Sequence, residues 1–376
     1  MPSPYLSDSH RNFALQVRQI LQSQLLPIAD AAEERGHLCE NAWQILAEHG
    51  LLGLPQRGEG FLESAVFLEE LGALGYAGIR ASVGVHAYMA SAYLELFGSE
   101  EQIQRYLPGI RQGRIITALA ISEEHAGSDL SQMQCRALPS ANGFIVEGSK
   151  RYIANGSRAS LIVTLMRSGE GQHALGSSSL LLIDGDSPGL VRTPRPMLGW
   201  CSADVCDLDF THLVVPACNV LGKSGKGLLY LMQGLDFERL VAGLLALGGA
   251  HHSIRVLDGF VRRHQLQGSP LSDKQSVRHR LADLVGEQQI LRHYAYQVAW
   301  QHSKGQLDTR SACILKLRAT ELALSAAQAC AQLHGAQGYQ LNSEVARVYR
   351  DALAGTIAAG ASELMRDMIF DSTPAS

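Results

Sequence analysis

The chain has 376 residues, of which 46% are hydrophobic and 18% charged, and a formal net charge of −4. That length suffices for a large core divided into two or three packed units, and the scattered charges argue against a nucleic-acid partner or a polybasic membrane surface. Seven cysteines at irregular spacing, with no CxxC pair, suggest neither a disulfide framework nor a metal site and fit a reducing compartment.

The opening stretch, MPSPYLSDSHRNF, lacks the basic and apolar regions of a signal peptide, so a cytoplasmic location is expected. Phe13, Val17, Ile20, Leu21 and Leu25 recur at helical spacing, predicting a helix over 13–28. A second helix starts near Asn41 and closes at Gly50, and further helical patterns cover 62–74, 81–97 and 101–111. Residues 1–115 therefore read as an N-terminal helical domain.

From about Ile116 the pattern changes to short Val, Ile and Leu runs between turn residues: FIVEG after Asn142 and Gly143, then LIVTLM, SLLLID and DLDFTHLVV. They predict a central antiparallel β domain over 116–222. Beyond Gly227 helical patterns return at 228–252, 253–265, 276–306 and 311–333, followed by a glycine-rich bend and one more helix. This predicts a C-terminal four-helix bundle over 223–376. The most apolar stretch, 240–250, is shorter than the ~20 residues of a membrane span. The fold class is α+β, mostly α.

Several segments carry candidate chemistry. AISEEHAGSD, 120–129, has Gly127 for close backbone approach and Ser122 and Ser128 as short donors, a composition that a solvated turn shares. QLHGAQGYQLNSEVARVYRDA, 332–352, has glycines suited to a helix corner. GLDFER, 234–239, places Glu238 beside Arg239, a pair that also fits a helix surface.

In this order the motifs resemble those of the acyl-CoA dehydrogenase family, flavin enzymes that oxidise acyl thioesters, over nearly the whole chain. The resemblance implies FAD at AISEEHAGSD, through Ile121, Ser122, Gly127 and Ser128, with Ser128 also facing the thioester. In KRYIANG, Tyr152 stands where the family usually has Trp beside the flavin; Ile153 follows it, and Ala154 replaces a Thr hydroxyl. Gln332, Gly335 and Ala336 match the bend that holds the adenine dinucleotide of a neighbouring subunit, Ala336 replacing a glycine. HQLQG keeps Gly268 and the later Gln275 of a pyrophosphate-binding run, with His264 for Arg and Gln267 for Phe.

The family's frequent Ile-Tyr-Glu-Gly-Thr-Ser turn reads IAAGAS here, 357–362, so Ala359 occupies the position of the common base. GLDFER instead resembles the isovaleryl-type branch, whose base matches Glu238. Arg239 is then expected to position the base or acyl group, and Ala359 with Gly360 to leave room for a branched or cyclic acyl group. The resemblance implies α,β-dehydrogenation of a thioester on CoA or on carrier-protein phosphopantetheine, with electron-transfer flavoprotein or oxygen as acceptor, in a homodimer or homotetramer. The alternatives are a secondary-metabolism dehydrogenase or oxidase of carrier-tethered prolyl-like or hydroxyacyl groups, and an inactive homologue serving as a scaffold.

Overall fold

The computed structural model describes residues 4–169 and 177–373. Its first part is helical: α1 (Asp8–Ile20), α2 (Ala29–Arg35), α3 (Glu40–Glu48), α4 (Phe61–Gly72), α5 (Ala77–Gly84), α6 (Ser91–Phe97) and α7 (Glu100–Arg111). The helix expected over 13–28 begins earlier, at the Ser7 cap, and continues as a wider π turn at Leu21–Leu25. Another π turn, Val85–Ala90, joins α5 to α6 and carries buried His86, whose ring bonds the Ile110 carbonyl and the Thr117 amide at 3.1 Å each.

An eight-stranded sheet follows: β1 (Thr117–Ala120), β2 (Arg136–Ser140), β3 (Gly143–Ile153), β4 (Leu161–Arg167), β5 (Ser178–Asp184), β6 (Leu190–Pro194), β7 (Cys206–Pro216) and β8 (Val220–Leu221). The spatial order is β6-β7-β3-β2-β4-β5-β8, with β1 beside β4. Most pairs are antiparallel as expected, whereas β1 and β2 each meet β4 in parallel. LIVTLM and SLLLID are almost continuously apolar because the sheet is covered on both faces: Ile162, Met166, Leu181 and Ile183 enter one core, Leu161, Val163, Leu165, Leu180 and Leu182 another shared with α6 and α7.

The C-terminal part contains α8 (Gly227–Arg263), a small hairpin of β9 (Gln265–Leu266) and β10 (Ser269–Pro270), then α9 (Gln275–Ser303), α10 (Thr309–His334), α11 (Glu344–Gly355) and α12 (Ser362–Asp371). The two helices expected over 228–265 are one helix of 37 residues. Ser253 does not interrupt it, because its hydroxyl bonds the Gly249 carbonyl one turn back, at 3.1 Å. The single helix expected after the bend is two, α11 and α12. By length and composition α8 would cross a membrane, with mean hydropathy 1.4 over its most apolar window, but 78% of that window is buried inside the protein. It is the central core helix: α4 packs on it, and residues of α1 to α5 share one hydrophobic cluster with α8, α9 and α10.

Candidate active site

Where α8 passes α6, Gly234 gives the chain its local geometry. A Cβ there would lie 2.5 Å from the Tyr93 ring, so only glycine admits that ring between the helices. Tyr93, 1% exposed, donates its hydroxyl proton to Glu238 Oε1 one turn further along α8. Burial pushes the Glu238 carboxyl up to about 7, against the opposing pulls of the Tyr93 hydroxyl and Arg239. The same burial, with the carboxylate beside it, pushes Tyr93 well above its ordinary range. Glu238 is 8% exposed and Arg239 4%, which overturns the helix-surface pairing.

Arg239 bonds Asp236 at 2.8 Å, and Asp236 accepts from Thr309 of α10 at 2.7 Å. The Arg239 Nε is buried and finds no hydrogen-bond partner among the described residues. Lys316, fully buried on α10, donates to the Gly360 carbonyl; burial and neighbouring Arg239 push its ammonium down to about 8. Lys316 thus links the Arg239 region to the 357–362 turn, where Ala359 at φ 54° and Gly360 at φ 94° are successive left-handed residues.

The AISEEHAGSD loop leaves β1 and is secured from β3. Lys150, completely buried, bonds the Ile121 carbonyl at 2.9 Å and Glu123 at 2.7 Å, and Glu123 also accepts the Gln134 amide at 2.6 Å. Burial opposes ionisation of Glu123, but Lys150 and the backbone donors outweigh it and hold the carboxyl below its usual range. Glu123 is therefore a fastening group of the loop. The Ser122 carbonyl accepts from the Arg151 amide at 2.9 Å, which brings Ser122 to the end of β3 that leads into Tyr152. Tyr152 is 56% exposed at φ 60°, with its amide on Asp207 at 3.2 Å. Ile121 packs into the cluster that contains Tyr93 and Leu231, so this loop and Glu238 border the same core. At exposed Gly127 neither a positive φ nor any neighbour within 4 Å demands glycine, and the main chain there is open.

The remaining candidates gather elsewhere. Gln267 and Gly268, at φ 54° and 82°, form the two-residue turn between β9 and β10, and His264 caps α8. His264 stacks on Phe260 at 4.7 Å, which stacks on His334 at 3.8 Å, beside Gly335 and Ala336. Exposed Gln275 begins α9. Ser276, Arg280, Gln328 and Gln332 line a groove of about 350 Å³ between α9 and α10. His264 follows Glu238 by 26 positions, roughly 39 Å of helix at 1.5 Å per residue, so one chain does not bring this group to the base.

The N-terminal, middle and C-terminal domain families of acyl-CoA dehydrogenases match residues 7–114, 118–213 and 225–373 respectively. The chain belongs to the acyl-CoA dehydrogenase family. Members are FAD-dependent oxidoreductases, so this is a flavin enzyme by family rather than a scaffold. The open, exposed main chain at Gly127, next to exposed Ser128, leaves room for a large group with a polar edge. The chain is 30% identical to a long-chain specific acyl-CoA dehydrogenase of Rattus norvegicus, covering 96% of this chain and 86% of that protein. A solved acyl-CoA dehydrogenase from Geobacillus kaustophilus superposes with a TM-score of 0.93 at 32% identity, covering 98% and 99% of the two chains. The prolyl acyl carrier protein oxidase AnaB superposes with a TM-score of 0.90 at 27% identity over 97% and 99%.

Sequence reasoning missed Tyr93, Lys150 and Lys316. Tyr93 sits in an ordinary apolar helix, and its partner is 145 positions away. The one local signal was Gly234, a glycine inside a helix, which implies close approach by a neighbour.

Proposed function

We propose that this enzyme carries out FAD-dependent α,β-dehydrogenation of a compact acyl thioester, with Glu238 as the base. The observation that carries the reading is a buried carboxyl poised near pH 7 and hydrogen-bonded on one oxygen, the environment that suits a group taking a carbon-bound proton. The bound flavin supplies the acceptor for hydride leaving the substrate β-carbon. Glu238 removes the α-proton, and the electrons of that C–H bond become the α,β double bond. Arg239 keeps a positive charge beside the base, favouring its ionised form. Ser122 and Ser128 face flavin and thioester, Tyr152 flanks the ring, and Ile121, Gly127, Ile153 and Ala154 complete that wall.

His264, Gln267, Gln275, Gln332, Gly335 and Ala336 would hold the adenine dinucleotide for a second copy, in a homodimer or homotetramer. The distance of this group from Glu238 along α8 supports that division. Electron-transfer flavoprotein or oxygen accepts the electrons, and the enzyme works in the cytoplasm.

Support for a compact acyl group comes from the rings beside the base. Tyr93 lies between α6 and α8 with Phe97 6.4 Å away, and Phe97 stacks on Tyr230 at 4.3 Å. A long chain running between those helices would displace them, whereas a branched or cyclic group turned towards Ala359 and Gly360 would not. A carrier-bound prolyl-like or hydroxyacyl substrate is the second reading, favoured by the whole-chain likeness to AnaB. Mass spectrometry after incubation with matched acyl-CoA and acyl-carrier thioesters tests both: loss of two hydrogens from a short branched or cyclic thioester is expected. Oxidation of long straight chains alone contradicts the compact-group reading.

A further inference from the structure

The contact between Tyr93 and Glu238 goes beyond filling space. Both side chains are buried, the ring is admitted only because α8 carries Gly234, and the hydroxyl reaches one carboxylate oxygen. Its other polar neighbour, the Leu231 carbonyl at 3.3 Å, is a weaker acceptor than a carboxylate. Glu238 Oε2 accepts no hydrogen bond among the described residues. The groups that act electrostatically on Glu238 are Tyr93, from α6, and Arg239, from α8 itself. A phenylalanine would pack against Gly234 and Phe97 equally well, so packing alone does not require a hydroxyl.

We propose that Tyr93 is a positioning residue for Glu238: by donating to Oε1 it fixes the carboxylate and leaves Oε2 as the oxygen that takes the substrate proton. The inference rests on Glu238 being the base. Hydrogen bonding to the ionised form also favours it, so the hydroxyl lowers the pH at which the buried base ionises. Without it, burial acts with less opposition and the base is protonated over a wider range.

The test is a pH profile of the FAD-loaded enzyme with Tyr93→Phe. In this variant the acid limb of kcat/KM is expected to move up by about one pH unit, the size of a lost hydrogen bond to a charged group. At the wild-type optimum kcat should fall about tenfold with KM within about twofold, while flavin content remains that of the wild type. Gly234→Ala, which pushes the ring away from the other side, should move the limb in the same direction. Glu238→Gln separates the two claims. If it abolishes dehydrogenation while the limb stays in place in both other variants, the positioning role is wrong and the base assignment stands. If Glu238→Gln dehydrogenates at the wild-type rate, the base assignment fails and the Tyr93 proposal fails with it.

Discussion

Burial of Glu238 favours its chemistry but lowers stability at neutral and alkaline pH. Its carboxyl rises from the ordinary value of 4.5 to about 7 in the folded protein, so folding binds a proton that the unfolded chain holds less tightly. The native state is relatively favoured at low pH, and that advantage is lost as pH rises from about 4.5 through about 7. A rise of that size corresponds to about 3 kcal/mol at pH 8. Glu238→Gln is thus expected to raise the thermal midpoint by a few degrees at pH 8, with the gain vanishing near pH 4.5. Thermal unfolding at the two pH values checks it; a variant less stable than wild type at pH 8 counts against the burial argument. GLDFER pointed to Glu238 only through family resemblance, because a Glu-Arg pair in isolation also fits a solvated helix. Tyr93 was illegible for a different reason: its partner lies 145 positions away, and Gly234 marks a close approach without naming the neighbour.

At the scale of elements, α4 crosses α8 backbone to backbone. A Cβ on Gly72 would come within 2.3 Å of the Leu245 carbonyl, and one on Gly248 within 2.1 Å of the Glu69 carbonyl. Main chain cannot yield as a flexible side chain does, so the helices would have to separate. Gly248→Ala should therefore destabilise by about 2 kcal/mol, despite the gain of up to about 1 kcal/mol that alanine brings to a helix interior. Denaturant unfolding measures the balance, and a stabilised variant would contradict close crossing. The sequence around this point, LVAGLLALGGA, shows little amphipathic period because α8 is covered nearly all round. That absence, with Ser253 resembling a boundary, explains why one long helix read as two. The alternation of β4 and β5 was hidden in the same way by burial on both faces.

Across the whole molecule, Asp351 binds the units together. Buried on α11, it accepts the Trp200 amide from the β domain at 2.7 Å and the Ala77 amide from α5 at 3.3 Å. The helix, sheet, helix order was readable from hydrophobic periodicity, since each segment carries its own pattern. That the outer helical units share a core was not readable, because it depends on contacts such as Glu69 with Arg292 at 2.7 Å and the His252 ring with the Ala73 carbonyl at 3.1 Å. Glu238 as base on an FAD-dependent fold is checked by the visible absorption spectrum. Purified wild type and Glu238→Gln would be recorded anaerobically before and after addition of branched and cyclic acyl-CoA and acyl-carrier thioesters. A flavin spectrum is expected in both, bleached by at least one thioester in wild type and by none in Glu238→Gln. Equal bleaching of the two proteins, or failure of the wild type to take up FAD on reconstitution, would contradict it.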